Sequence, residues 1–317
     1  LKEEKRLSTV SPATTGLSLC GLLLLAALVI YLTGNLYASF FSLVDPMVET
    51  IDRGAFLSTG NLPGDKPVTF LLFGIDSGEW VGGTYREGTG RADTIVLVQA
   101  DPLSQKAALL SIPRDTLVEI PGRPGDDKIN HAYAFGQAPL LVETVEHFTG
   151  VPVDGYVGLN YRAFKDIVDL LGGVEFDVDR VITCRGLRLE PGRQHLDGDA
   201  AFALVSFRNE PMGDIGRVRR QQRFIKAVAG SARQSSLDQL FYIMLAAWDN
   251  LDTDISFPEA VTLSRRLSGI TEENMAMELV PGCFYNRNGV SYWRPYLDET
   301  EKVIQDLFFN LSKDVTP

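Results

Sequence analysis

No charged side chain occurs between Leu7 and Val44. Within that stretch Leu17 to Leu32 is almost wholly apolar, and Leu36 to Leu43 continues with aromatic residues. Coiled as a helix, Leu17 to Phe41 would be about 37 Å long, enough to cross the hydrocarbon of a bilayer with some tilt. Lys2, Lys5 and Arg6 precede the run, and Asp45, Glu49 and Asp52 follow it. The positive-inside bias therefore places the N-terminus in the cytoplasm and everything past the span outside. The run is too long for the apolar segment of a cleaved signal peptide. The expected organisation is a cytoplasmic tail over residues 1–16, one transmembrane helix over 17–43, a tether over 44–66 and an extracytoplasmic domain over 67–317. Gly60, Pro63 and Gly64 punctuate the tether as a loop.

The rest of the chain is long enough for a substantial core, with 45% hydrophobic residues among 317. A formal net charge of −11 argues against a nucleic-acid partner, because phosphate neutralisation needs a basic field. It leaves local arginine clusters free to handle phosphate. Three cysteines give no disulfide framework and no metal-ligand spacing; Cys20 lies in the apolar run, and Cys184 and Cys283 read as thiols or as one bridge.

Val68 to Ile75 is a near-continuous apolar run and predicts a buried strand. Thr94 to Ala100 and Lys106 to Ile112 predict two more, joined by the turn residues Asp101-Pro102-Leu103-Ser104. Further on, the pattern predicts helices at 139–148, 161–171, 197–205, 216–234, 237–248, 258–267 and 298–311. Strands are expected at 153–157, 174–178 and 275–280. Helices and strands mix without strict βαβ alternation, so the expected class is α/β, with a mixed central sheet and helices on its faces.

No GxSxG, HExxH, P-loop or GxGxxG signature is present, and the three histidines form no metal pattern. Charged residues gather instead at strand ends. If the second and third strands form a hairpin with Ala100 opposite Ala107, the register brings Asp93 opposite Arg114. Arg91, Asp93, Arg114 and Asp115 then share one sheet edge. Asp76 reaches it too if the first strand is antiparallel to the second. Carboxylates with few other ligands suit Mg²⁺, which keeps waters and takes phosphate oxygens. Arginine forks match phosphate. The same residues also fit a salt-bridge cluster that caps strand ends. Arg217, Arg220, Gln221 and Phe224 fall on one face of the 216–234 helix, which suits an anionic partner near its N-terminus or a solvated basic face.

Seven ordered blocks resemble the LytR-CpsA-Psr family: FGIDS (73–77), GRADTIVLV (90–98), LLSIPRDT (109–116), DKINHAYAFG (127–136), LGGVEFDV (171–178), LDGDAAFALVSFR (196–208) and GDIGRVRRQQ (213–222). They cover roughly residues 67 to 235. The resemblance implies an α/β/α sandwich with an apolar groove for a polyprenyl tail. It also implies an extracytoplasmic phosphotransferase that moves a glycopolymer from a polyprenyl-pyrophosphate carrier onto peptidoglycan. In that reading Asp76 and Asp93 match Mg²⁺-site acids, and Arg91, Arg114, Arg208 and Arg217 match pyrophosphate-region arginines. Arg220 and Gln221 match the family's RQ pair. Candidate bases are Asp93, Asp115 and His131. Two departures stand out: Ser206 occupies the first place of a usual RxR pattern, and Gln137 replaces a frequent glycine. A lipid pyrophosphatase and a non-catalytic lipid-binding homologue are the alternative readings.

Overall fold

A strand that is apolar on both faces is tolerated only where both faces are covered. In the computed structural model every residue from Val68 to Ile75 is buried, within a longer strand β1 (Val68–Val81). The structure describes residues 66–309, apart from 82–83, 208–212, 233–234, 236, 249 and 268. The expected anchor, and its tether as far as Asp65, lie outside the described residues. Among the described residues no helix is long and apolar enough to cross a membrane.

β1 is followed by β2 (Thr84–Asp101), β3 (Lys106–Ile112), β4 (Leu117–Glu119), β5 (Asp126–Lys128), α1 (His131–Thr149), β6 (Gly155–Leu159) and α2 (Tyr161–Leu170). Next come β7 (Val174–Val178), β8 (Ile182–Cys184), β9 (Leu187–Leu189), β10 (Gly192–Leu196), α3 (Gly198–Ser206), α4 (Gly213–Ala232) and α5 (Leu237–Trp248). The chain closes with β11 (Leu251–Thr253), α6 (Phe257–Arg266), β12 (Met275–Leu279), β13 (Gly282–Arg287), β14 (Val290–Pro295) and α7 (Leu297–Ile304).

The central sheet has six strands in the order β11-β6-β1-β2-β3-β12. β1 pairs antiparallel with β2 and parallel with β6, while β3 pairs antiparallel with β2 and parallel with β12. The mixed sheet expected from the element pattern is therefore present. Ala100 faces Ala107, the register read from the turn. Asp101 sets that turn, accepting from the Leu103 amide at 2.9 Å and the Ser104 hydroxyl at 2.7 Å.

Helices cover the sheet. Phe73 on β1 meets Tyr133 of α1 at 5.3 Å between ring centroids. Asn160 caps α2 by accepting from the Ala163 amide at 3.0 Å. The buried stripe of α2, Ala163, Phe164, Ile167 and Val168, has helical spacing. Phe164 packs on Phe202 of α3 at 5.6 Å and on Phe224 of α4 at 6.1 Å. Asp197 caps α3 through the Ala200 amide at 2.8 Å.

Several boundaries differ from the expected ones. The β1–β2 ladder runs past Asp76 and Arg91 to Val81 and Thr84, beyond the expected strand ends at Ile75 and Thr94. The expected helix at 139–148 starts earlier, at His131, but breaks at Gly136 and at Gln137, which has φ 56°. Pro139 sits just past that break, near the start of the second helical piece, where a missing N–H does least harm. The strand expected at 153–157 is displaced to Gly155–Leu159. The last helix stops at Ile304 and widens over Gln305–Phe309. Cys184 and Cys283 are both free thiols, so no bridge joins them.

Candidate active site

The end of β1, the middle of β2 and the end of β3 meet at one edge of the sheet. The β1–β2 register shifts twice, between Gly74 and Ile75 and between Asp76 and Gly78, bracketing Asp76 opposite Arg91. Such irregularities bend a strand and re-aim side chains, here at the position of a carboxylate. Arg91 is exposed, whereas Asp93, two residues along the same strand, is buried.

Regular β2–β3 pairing ends at Ile95 and Ile112, yet the side chains continue it: Arg114 Nη1 lies 2.6 Å from Asp93 Oδ2. The pair is largely shielded, with side-chain exposures of 18% for Arg114 and 3% for Asp93, so water screens it weakly. Asn130 Nδ2 faces the other Asp93 oxygen at 3.5 Å. Arg114 Nε lies 3.7 Å from Asp115 Oδ2, and Lys128 Nζ donates to Asp115 Oδ1 at 2.7 Å.

The backbone holds this cluster from two sides. The Asn130 amide donates to the Arg114 carbonyl at 3.2 Å and the Ile129 amide to Thr116 at 2.9 Å. From β14, the Trp293 amide donates to the Asp115 carbonyl at 2.8 Å. At the start of α1, Asp127 Oδ2 lies 2.9 Å from His131 Nδ1. Burial works against ionising Asp127, but the His131 bond and the Lys128 amide outweigh it and hold the carboxyl below its ordinary range.

On α4, Arg217, Arg220, Gln221 and Phe224 are all buried, so the helix face they share is not a solvated one. Arg220 donates through Nε to the Leu204 carbonyl at 3.0 Å and through Nη2 to the Phe207 carbonyl at 3.1 Å. Gln221 Nε2 donates to the Val205 carbonyl at 3.3 Å. These are carbonyls at the C-terminal end of α3, where a helix leaves acceptors without partners. Arg208 continues directly from that end and lies outside the described residues. Gln222 donates to the Ser111 hydroxyl on β3 at 3.0 Å, which fixes α4 over the strand that leads to Arg114. Arg217 is five residues, about 7.5 Å, further toward the helix N-terminus.

The structure thus brings Asp93, Arg114 and Asp115 into one cluster, sets Asp76 and Arg91 opposite each other beside it, and ties Arg220 and Gln221 to the chain that leads to Arg208. Lys128 and Asn130 joined the cluster without having been singled out in the sequence. Their signal was only their place in DKINHAYAFG, because three-residue strands such as β4 and β5 show no periodicity. Carboxylates, a forked cation and an ammonium at one strand edge can hold a phosphate together with a hard divalent cation.

The family model for LytR_cpsA_psr matches residues 37–308. The chain belongs to the LytR-CpsA-Psr family. A relative from Enterococcus faecalis, named polyisoprenyl-teichoic acid–peptidoglycan teichoic acid transferase TagU, is 32% identical over 291 residues, covering 90% of this chain and 93% of that protein. The solved structure of Bacillus subtilis TagV aligns with a TM-score of 0.66 at 30% identity, covering 80% of this chain and all of that one (100%). A structure described as TagT bound to LIIa-WTA aligns equally well, with a TM-score of 0.66, 30% identity, and coverage of 81% and 95%.

Against that family, Ser206 has a plain local explanation. Its hydroxyl donates back to the Phe202 carbonyl at 2.7 Å and lies 3.7 Å from Cys184 Sγ, so it belongs to the packed end of α3 and not to the charged edge. A cleft of about 500 Å³ is lined by Gly172, Gly173, Glu175, His195, Ser231 and Gln239, and by none of the residues of the charged edge. α2 starts beside the end of β6 and runs back to that cleft, away from Asp93 and Arg114.

Proposed function

We propose that this family member is a membrane-anchored phosphotransferase that moves a glycopolymer from a polyprenyl-pyrophosphate carrier onto peptidoglycan, leaving a phosphodiester. The observation that carries this reading is the shielded Asp93–Arg114 pair at 2.6 Å on the edge where Asp76 and Arg91 also lie. The names of relatives that span most of the chain support the substrate class, since they describe transfer of a polyisoprenyl-linked teichoic acid to peptidoglycan.

Arg114, Arg91, Arg208 and Arg217 are assigned to the pyrophosphate, and Arg114 stabilises charge that develops as the bond to phosphorus breaks. Arg220 and Gln221 join them by holding the end of α3, which delivers Arg208. The acids at the edge offer hard carboxylate oxygens, which fit Mg²⁺. Asp76 and Asp93 would hold it, and the ion would neutralise phosphate charge. An acceptor hydroxyl attacks the phosphorus that bears the sugar, and polyprenyl phosphate leaves. In this reading the anchor at 17–43 keeps the domain at the outer membrane face, with donor and membrane lipid at the same level.

The test is transfer from a lipid-linked pyrophosphate saccharide to a peptidoglycan acceptor by the full chain in detergent. Arg114→Ala is expected to lower turnover by about 10²–10³-fold. Undiminished transfer by Arg114→Ala or Asp93→Ala would remove the proposed site. Release of free saccharide phosphate with no linked product would make the protein a hydrolase.

A further inference from the structure

Strand β12 runs parallel to β3, with Leu279 opposite Ser111, so the chain that leaves it comes out at the edge where β3 leads to Arg114. There it forms the hairpin of β13 and β14. β14 lies against the edge: Trp293 bridges Thr116, and its amide donates to the Asp115 carbonyl at 2.8 Å. β13 is therefore the outer strand of the hairpin.

Opposite residues of an antiparallel pair share a face, and side chains alternate between faces along each strand. Tyr285 and Tyr292 are opposite each other, so Arg287 and Arg294, each two residues from one of them, fall on the same face. The Arg287 guanidinium lies 5.0 Å from the Tyr292 ring centroid, and that of Arg294 lies 3.7 Å from the Tyr285 ring centroid.

Tyr292 braces this face against the charged edge. It is buried, and Lys128 Nζ, which donates to Asp115 at 2.7 Å, lies 5.5 Å from its ring centroid. Arg287 adds a second tie, donating through Nη2 to the Asp126 carbonyl at 2.8 Å. Tyr285 stands one strand further out, about 4.8 Å away. It is half-buried, and the exposed Arg294 is stacked on it. A stacked guanidinium keeps its in-plane N–H groups for another partner, and that planar fork fits a carboxylate.

An aromatic ring beside an arginine fork suits a strand that carries both apolar sugar faces and acidic groups. Charge complementarity points the same way. The chain has a net charge of −11, yet Lys128, Arg287 and Arg294 gather about these two rings. Order along the sheet separates acceptor from donor. Asp76 and Arg91 lie on the β1–β2 side of Asp93 and Arg114, whereas the hairpin lies on the β3 side. In-line displacement needs the attacking and leaving oxygens on opposite sides of phosphorus. With the pyrophosphate on Arg91 and Arg114, the acceptor enters from the hairpin.

We propose that Tyr285 and Arg294 form the docking surface for the peptidoglycan acceptor strand, with a sugar ring on the tyrosine and a stem carboxylate in the arginine fork. This rests on the transfer reading above and gives its acceptor a position.

The experiment uses the full chain in detergent and a short-chain polyprenyl-pyrophosphate disaccharide as donor. The acceptors are soluble uncross-linked peptidoglycan strands with free or amidated stem carboxylates. Arg294→Gln is expected to raise the KM for free-carboxylate strands about tenfold, with kcat and donor KM within about twofold of wild type. On amidated strands wild type and Arg294→Gln are expected to match, which a merely structural role would not produce. Tyr285→Ala is expected to raise the KM for both strands about three- to tenfold, and Tyr285→Phe, which keeps the ring, to behave as wild type. Because Arg294 is exposed, its variant tests the surface even where Tyr285→Ala loosens the hairpin. A KM for Arg294→Gln within twofold of wild type on free-carboxylate strands, or an equal loss on both strands, would overturn the surface. A rise in donor KM in place of acceptor KM would overturn it too, by assigning the face to the donor's saccharide. Absence of linked product from wild type would fail the transfer reading itself, and the surface with it.

Discussion

Arg220→Met separates a residue that holds the site from one that touches substrate. Arg220 is 2% exposed, and two of its nitrogens donate to main-chain carbonyls, Leu204 at 3.0 Å and Phe207 at 3.1 Å. Each such bond from a charged donor contributes about 1.5–3 kcal/mol, and the Leu204 carbonyl stays buried, the Phe207 carbonyl partly so, when the donor goes. Removing a buried cation offsets part of that loss, because its desolvation penalty disappears too. The net cost is about 2–4 kcal/mol. At about 2–4 °C per kcal/mol for a domain of this size, the midpoint of thermal unfolding should fall by about 5–15 °C. Arg220→Lys keeps the charge but not the fork, so it should recover less than half of the loss. The assay is thermal and urea unfolding of the full chain, with transfer measured well below the lowered midpoint. A midpoint for Arg220→Met within 2 °C of wild type would refute the carbonyl-holding argument. So would an Arg220→Lys protein of wild-type stability with no transfer, because the fork would then be needed by substrate alone.

Gly198→Ala should destabilise by about 1–3 kcal/mol in urea unfolding, because its new Cβ would come within 2.7 Å of the Lys165 carbonyl, a backbone atom that cannot swing aside. Ser206→Arg should fold with a similar loss, since a side chain much larger than the hydroxyl must leave the packing against Cys184; a gain in donor affinity would show that the longer side chain reaches the phosphate edge. Acid should weaken the fold through Asp127, Asp179 and Asp199, whose carboxyls are held below their ordinary range: burial opposes ionisation in each, but His131 outweighs it at Asp127, Arg180 and Arg223 at Asp179, and Lys165 and Tyr161 at Asp199. That stability is present above the unfolded value near pH 4 and disappears as pH falls through the lower folded values, so urea midpoints should drop between pH 5 and pH 3. Tyr161 is the alkaline counterpart, pushed up to about 12 by burial and by its bond to Asp199, and its contribution should fade only as pH rises above 10 toward that value.

The parts of this fold that could be read from the sequence are those in which one strong local signal acts alone. VTFLLFGI, TIVLVQA and KAALLSI are apolar runs separated by a turn whose aspartate caps it, so strand identity, antiparallel order and the Ala100–Ala107 register followed from counting. Counting on placed Asp93 against Arg114, although the ladder itself stops two residues earlier on each strand. What could not be read depends on competition between local and distant terms. The β1–β2 extension lies in a segment with glycines on either side of Tyr85, where propensity argues for a loop and only pairing with the partner strand argues otherwise. β12 joins the sheet beside β3 across more than a hundred and fifty residues, and no local pattern encodes that parallel partnership.

The same distinction explains why the charged edge was half legible. Asp93 lies on β2 and Arg114 just past the end of β3, two strands whose register follows from the tight turn at Asp101 that joins them. Lys128 and Asn130 reach the edge by a different route, through two three-residue strands and the turn that leads into α1. Their positions are set by single bonds, the Ile129 amide to Thr116 and the Asn130 amide to Arg114, and by β14 closing over Asp115 from the far end of the chain. That closure has a consequence for mechanism. Asp93 and Arg114 are set by long buried strands, whereas Lys128 and Asn130 beside them are set by short, partly exposed elements. Rigidity where charge develops comes from the strands, and the short elements can adapt to the rest of the substrate.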